Sequence, residues 1–219
     1  MKIEIISITP AAESVIAEAA RTCYLSFDRQ SEAADRNLVR SLIRRGHHSV
    51  LEHASATFRI KGCSRAFTHQ LVRHRLCAFS QQSQRYVDED GFRAVIPPRI
   101  EAAPAALEVF QRTLEDIHRS YRALRELGIL KEDARFLLPN ATQSEIVFSA
   151  NFRQLRHMLV LRGAPPAQWE IRRVFVEILR RLKREVPLLV EDLMIDEERA
   201  AIVPVSSEKK EAFPLKNPA

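Results

Sequence analysis

The chain has 219 residues, of which 46% are hydrophobic and 28% charged, and its 34 Lys and Arg outweigh 28 Asp and Glu to leave a net charge of +6 at pH 7. That is the make-up of an ordinary soluble globular protein with material for a sizeable core, and its charge calls for an anionic partner without naming one. No apolar run approaches membrane-spanning length, no signal-peptide layout opens the chain, and three unpatterned cysteines exclude a disulfide framework and fit a reducing cytoplasm.

Lys2 to Ile8 alternates and predicts a strand. Pro10 to Cys23, rich in Ala and Glu, predicts a helix with Thr9 as N-cap and Pro10 in its first turn. Ala33 to Arg45 has apolar residues at helical spacing and stops at Gly46, a C-terminal signal. His47 to His53 reads as a turn and a short helix. Ala54 to Ile60 reads as a strand with Ala56, Phe58 and Ile60 on one face. Ser64 caps a helix predicted to run to about Arg75. Phe79 to Tyr86 fits a loop or an irregular strand, and Asp88 to Pro98 a turn-rich connection.

Ala102 to Leu127 predicts one long amphipathic helix, and Lys131 to Phe136 a short one ended before Pro139. Gln143 to Ser149 reads as a strand. Asn151 caps a helix to Leu161 that Gly163 closes, and Pro166 to Lys183 predicts another helix. The fold class is α+β, a small mostly antiparallel sheet flanked by helices. Residues 1–195 form a single domain in this reading, followed by a charged, flexible tail over 196–219.

The densest chemistry lies between Arg73 and Tyr86, where three guanidinium groups, one imidazole, two serine hydroxyls and three amides share fourteen residues with no carboxylate. No acidic residue occurs between Glu52 and Asp88, while Arg59, Lys61, Arg65, Arg73, Arg75 and Arg85 are basic. Such a segment repels itself unless an anion neutralises it. Val72, Leu76, Cys77, Ala78 and Phe79 make it too apolar for a solvated tail, so it reads as a folded anion pocket with Arg forks for phosphate. With only 5 glycines and no Gly-rich phosphate loop, any nucleotide must be held by side chains and helix ends.

On the helix from Ser64, Gln70, Arg73 and His74 share a face, and His74 and Arg75 sit at a C-terminus that favours cations. A second cluster, Asn151 to His157, places Arg153 and His157 four apart and one turn from an N-cap. It reads either as a diphosphate cradle or as a surface helix with a solvated Arg. Arg135 and Arg162 taken singly are ordinary cations. His47, His48 and His53 lack a metal spacing and a nearby Cys, so no metal is expected. Cys77 reads as a packing residue, and Ser83 lacks a base.

Arg-His-Arg, then seven residues, Ser83, and Arg85-Tyr86 resembles the signature of the flavin-dependent thymidylate synthases. Glu52-His53-Ala54-Ser55, Arg135 with Leu138-Pro139-Asn140, Asn151-Phe152-Arg153 with His157, and Arg162 followed by Gln168-Trp169-Glu170-Ile171-Arg172 resemble that family in the same order, over residues 20 to 193. The resemblance implies that family's fold and the reductive methylation of deoxyuridine monophosphate (dUMP) to thymidine monophosphate (dTMP). Methylenetetrahydrofolate would supply the carbon, FAD would relay it and carry hydride, and NADPH would be the reductant.

Carried over residue by residue, Gln70, Leu71, Val72, Arg73, Gln81, Gln82, Ser83, Gln84, Arg85, Arg135 and Arg162 would bind dUMP. Arg162 would be the catalytic cation facing the uracil ring. His53, Ser55, Arg73, His74, Arg75, Gln81, Asn151, Phe152, Arg153 and His157 would contact FAD. Gln81 and Ser80 stand where some members carry Glu and Asn. No protein nucleophile is expected, because the flavin carries the hard chemistry. The family implies a homotetramer with sites shared between subunits and a cytoplasmic location. A basic nucleic-acid-binding module is the competing reading. The 7% aromatic content and the lack of a recognised binding motif count against it, and the expected partners are dUMP, folate and NADPH, with no nucleic acid and no membrane.

Overall fold

A four-stranded antiparallel sheet in the order β1-β2-β4-β3 carries the site in this computed structural model, which describes residues 1–23 and 25–205. The strands are β1 (Lys2–Ile8), β2 (Ser55–Ser64), β3 (Ala78–Gln81) and β4 (Gln143–Asn151). β2 and β4 pair along their whole length, from Ser55 opposite Asn151 to Ser64 opposite Gln143. Alternation decides the faces: Ala56, Phe58 and Ile60 of β2 and Ile146, Phe148 and Ala150 of β4 all turn into the core. The Phe58 and Phe148 rings stack at 5.2 Å across the ladder, and each fully buried ring contributes about 2–3 kcal/mol.

Helices α1 (Ala12–Thr22), α2 (Glu32–Arg45), α3 (Arg65–Leu71), α4 (Pro98–Glu101), α5 (Pro104–Glu126), α6 (Lys131–Ala134), α7 (Phe152–Gly163) and α8 (Trp169–Glu185) complete the α+β fold, with a 3-10 turn over His48–His53. α8 is the central helix of the core. Ile171, Val174, Phe175, Ile178, Leu179 and Leu182 recur at helical spacing along it and are all buried. Its first turn also holds the start of α3. The buried Glu170 carboxylate accepts the Ser64 N–H at 2.8 Å and the Ser64 hydroxyl, while Ser64 Oγ accepts the Phe67 N–H at 3.0 Å as the α3 cap. α5 is the opposite case, with Tyr121 its only buried residue and a half-buried stripe of Leu107, Phe110, Leu114 and Ile117.

Three expectations need correction. α3 ends at Leu71, so Gln70, Arg73 and His74 do not share a helical face, and His74 and Arg75 are not at a helix end. A chain of tight turns, with His74 N–H on Leu71 O and Cys77 N–H on His74 O, carries the segment onto α7 instead. Thr9 does not cap α1; it extends the β1–β2 pairing through Ser55, and Ala11 at φ 48 starts the helix. The long helix expected over Ala102 to Leu127 is α5, with Pro104 in its first turn, and the separate short α4 precedes it. The supposed tail from 196 begins as structure: β5 (Leu193–Asp196) pairs with β6 (Ala201–Pro204). The remainder of that segment, 206–219, lies outside the described residues.

β6 is anchored by contact with α7. A Cβ added at Gly163 would lie 2.4 Å from the Ile202 side chain. Gly163→Ala should therefore destabilise the protein by about 1–3 kcal/mol in urea unfolding, and Ile202→Ala should relieve part of that loss in the double variant.

Candidate functional site

Two helices leave the central ladder at opposite ends, and each end collects cations. At the Ser55–Asn151 end, the Asn151 side chain accepts the Gln154 N–H at 2.9 Å and caps α7. The cap fixes the first turn, so Arg153 and His157 line one cleft of about 620 Å³ together with Asn151, Gln154, Arg156 and His48. Leu76 and Val160 add an apolar wall, and Glu52 is the one carboxylate among the lining residues. Arg153 pairs with Glu52, but both are exposed, so the pair is worth no more than about 1 kcal/mol and yields to a competing anion.

Arg156 is anchored more firmly. Its Nη groups donate to both Asp192 carboxylate oxygens at 2.8 and 2.7 Å and to the Leu189 carbonyl at 2.6 Å. Its Nε is buried with no hydrogen-bond partner among the described residues, a donor that a bound acceptor would satisfy. With the dipole of a 12-residue helix behind it, the cleft suits a diphosphate-bearing ligand.

His74 lies along the same helix. Gln154 and Arg162, two turns apart on α7, both reach it: the Gln154 carboxamide stands 3.4 Å from Nδ1, and Arg162 Nε donates to Nε2 at 2.9 Å. The His157 ring meets it edge-on at 6.2 Å. Burial first, then the charges of Arg162 and His157, bring the His74 pKa down to about 4. The ring is thus neutral at pH 7, which leaves Nε2 free to accept from Arg162. That bond holds the Arg162 guanidinium by Nε alone, and its two Nη groups make no hydrogen bond among the described residues. Arg73 and Arg75, on either side of His74, are exposed, as are His53 and Ser55.

The other end of the ladder gathers a different set. Gln81 Nε2 donates to Thr68 Oγ1 at 3.0 Å and Ser144 Oγ at 3.3 Å, and Gln82 Nε2 donates to the buried Glu89 at 3.2 Å. Burial pushes the Glu89 pKa up. Ser83 Oγ accepts the Arg85 N–H at 3.3 Å and touches no base among the described residues. Arg85 pairs with Glu132 at 2.9 Å, and Arg135 Nε donates to the Glu132 carbonyl at 3.1 Å. Arg65 joins them, its pKa lowered by burial and then by the charge of Arg135.

β3 separates the two sets. Ala78 pairs with Ser149 and Gln81 with Ile146, so roughly 10 Å of strand lies between the Arg-His-Arg head and the segment leading to Ser83. The structure therefore brings together His74, Asn151, Arg153, His157 and Arg162, and separately Gln81, Gln82, Ser83, Arg85 and Arg135. Gln70 is half-buried with its Nε2 toward the Ala66 carbonyl, Gln84 is buried, and Val72 is exposed. Leu71 and Phe152 belong to the core and are fully buried, so their side chains are not open to a ligand. Gln154 and Arg156 escaped the sequence reading. Gln154 was legible from its place on the face shared with Asn151 and Arg162. Arg156 was not, because Asp192 lies 36 residues away and leaves no local trace.

Burial raises the Cys63 thiol to about 12 and the Cys77 thiol to about 11, so both are protonated at neutral pH. Among the described residues no group of three or more His, Cys, Asp and Glu could hold a metal, and no helix is long and apolar enough to cross a membrane.

Residues 4–188 match the model of the family described as thymidylate synthase complementing protein. The chain is 44% identical over 200 residues to a flavin-dependent thymidylate synthase of Geobacter sulfurreducens, covering 88% of this chain and 86% of that one. It is 40% identical to that of Nitratidesulfovibrio vulgaris, covering 84% and 83%. Among solved structures it is similar to thymidylate synthase X from Helicobacter pylori with FAD and dUMP, at TM-score 0.73 and 26% identity, covering 88% and 98% of the two chains. It is also similar to a UMP/dUMP methylase from Streptomyces cacaoi bound with 5-Br dUMP, at TM-score 0.74 and 26% identity, covering 87% and 93%.

The His74 contact fixes a pH dependence. The unfolded chain takes up the His74 proton near the ordinary value of 6.5 and the folded chain only near 4, so the protein should lose stability as pH falls between those values. An NMR titration of the histidine rings should place His74 near 4, and Arg162→Ala should move it upward; a wild-type midpoint near 6.5 would contradict the geometry.

Proposed function

Because the chain belongs to the flavin-dependent thymidylate synthase family, we propose that it methylates dUMP reductively to dTMP with FAD seated in the cleft at the α7 N-terminus. The observation that carries this reading is the Arg162–His74 bond, which joins the Arg-His-Arg segment to the flavin cleft. The cleft residues fit FAD: Arg153 and His157 would hold its diphosphate, with the N-terminal dipole of α7 behind them and Arg156 adding positive charge. His53, Ser55, Arg73, His74, Arg75 and Asn151 would complete the contact set, Phe152 would offer it backbone only, and Gln81, which lies in the set beyond β3, would reach FAD only from a partner protomer. Bound FAD supplies the relay of a one-carbon unit and the hydride, with methylenetetrahydrofolate as carbon donor and NADPH as reductant.

The protein's own part is binding and electrostatics. His74, kept neutral by burial, holds Arg162 so that its free Nη pair faces the uracil ring, where a fixed cation favours loss of the N3 proton and polarises the ring at C5. Ser83 and Arg85 hold the phosphate, with Arg135 beside them and Gln81, Gln82 and Gln84 shaping that segment. Gln70, Val72 and Arg73 would line the other side, where Leu71 offers backbone only. No side chain acts as a nucleophile: the Cys63 and Cys77 thiols stay protonated and Ser83 has no base.

β3 keeps the Ser83–Arg85–Arg135 group apart from the Arg73–Arg162 group within one chain. A complete dUMP site therefore takes one group from a protomer and the other from its partner, in a homotetramer. The half-buried stripe of α5 and the exposure of Phe136 (84%), Leu127 and Leu130 support assembly through this region. Free cysteines agree with a reducing cytoplasm as its compartment.

Purified protein should be yellow, sediment at about four times 25.1 kDa, and release tritium from 5-tritiated dUMP only with FAD, folate and NADPH. A colourless monomer that binds oligonucleotides with steep salt dependence would overturn the proposal. Arg162→Ala should keep the flavin absorbance and lose about 10²–10³-fold in turnover. Ser83→Ala should raise the KM for dUMP about tenfold with little change in kcat.

A further inference from the structure

A second cleft of about 620 Å³ opens between α8 and the start of β1, and it shares no lining residue with the flavin cleft. Lys2, Arg172, Arg173, Arg180 and Arg181 line it, together with the half-buried Trp169. We propose that this cleft binds a nucleoside polyphosphate as an effector, a ligand additional to the reactants.

The charges decide where an anion would sit. Glu177 is the carboxylate among the lining residues, and it serves both Arg180 at 3.7 Å and Arg181 at 3.0 Å. Lys2 takes Glu4, and Arg180 also takes Glu197 at the rim. Arg172 donates only to the carbonyls of Pro165 and Ala167, and Arg173 has no ion-pair partner among the described residues. Two guanidinium charges beside Trp169 are thus uncompensated. Farther along, Arg181 keeps a buried Nε with no hydrogen-bond partner among the described residues.

The spacing selects the ligand. Trp169, Arg172 and Arg173 lie on the first turns of α8, and Arg180 and Arg181 follow eight residues later, about 12 Å along the helix axis. An aromatic base against the indole places its phosphate chain on the Arg173 fork and the remaining donors of Arg172, neither of which meets a carboxylate among the described residues, with the terminal phosphate reaching the Arg181 guanidinium. A monophosphate such as dUMP is too short to join both ends, so the cleft is not a second substrate site. A carboxylate chain or a bare polyphosphate could use the Arg forks but would leave Trp169 unused.

Trp169 is the only tryptophan in the chain, so its fluorescence reports the surroundings of this cleft. Titrating the holoenzyme with dTTP should give a saturable change in Trp169 emission, with little response to dUMP or inorganic triphosphate. Arg173→Ala should weaken dTTP binding about tenfold, and Arg181→Lys, which keeps the charge but removes Nε, should weaken it as well. Neither variant should change dUMP turnover in the absence of dTTP, which also verifies that both are folded. No saturable response to dTTP, an undiminished affinity in Arg173→Ala, an equal response to inorganic triphosphate, or binding of oligodeoxynucleotides but not of dTTP would each overturn the proposal.

Discussion

The β2–β4 ladder is the constraint on which the molecule depends. Its register, Ser55 on Asn151 at one end and Ser64 on Gln143 at the other, fixes where two capped helices begin. α7 starts where β4 stops, and α3 starts where β2 stops. A slip of one residue would turn Phe58, Ile60, Ile146 and Phe148 out of the core and reverse every side chain that the site uses. The apolar alternation that stabilises the sheet is therefore also what places the Asn151 cap beside Ser55 and the Ser64 cap beside Glu170.

Within that frame, polar burial falls into two kinds. Glu170 on Ser64 and Arg156 on Asp192 and Leu189 are held by several hydrogen bonds each, as buried polar groups must be if they are not to cost stability. His74 is of another kind. It is buried with two hydrogen-bonding side chains among the described residues, Gln154 and Arg162, and it remains there by giving up its charge. Neutrality converts the imidazole into an acceptor, and the acceptor orients Arg162. The surface pairs around the clefts, such as Arg153 with Glu52 and Arg85 with Glu132, are exposed and weakly held, which suits cations meant to exchange partners for a ligand.

The same economy runs through α5. A helix of 23 residues with one buried side chain is poorly supported by its own chain, and its half-buried stripe asks for a covering surface. Under the proposed function, the separation of the Ser83 group from the Arg162 group also asks for a second protomer.

Local patterns in the sequence determined much of this protein. Alternation in β1, β2 and β4, the caps at Ser64 and Asn151, and the stop at Gly46 all follow from interactions within a few residues, and the acid-free run around Arg73 to Tyr86 announced an anion site. The signature residues identified the family as well, although composition alone left nucleic acid open as a partner. What only the tertiary structure decided depends on contacts remote in sequence: the end of α3 at Leu71, forced by the docking of His74 on α7; the pairing of Arg156 with Asp192; the return of β6 onto Gly163; and the burial that makes His74 neutral and the thiols inert. Hydrogen bonds and desolvation across 36 to 88 residues carry no periodic signal, so no reading of neighbours along the chain could supply them.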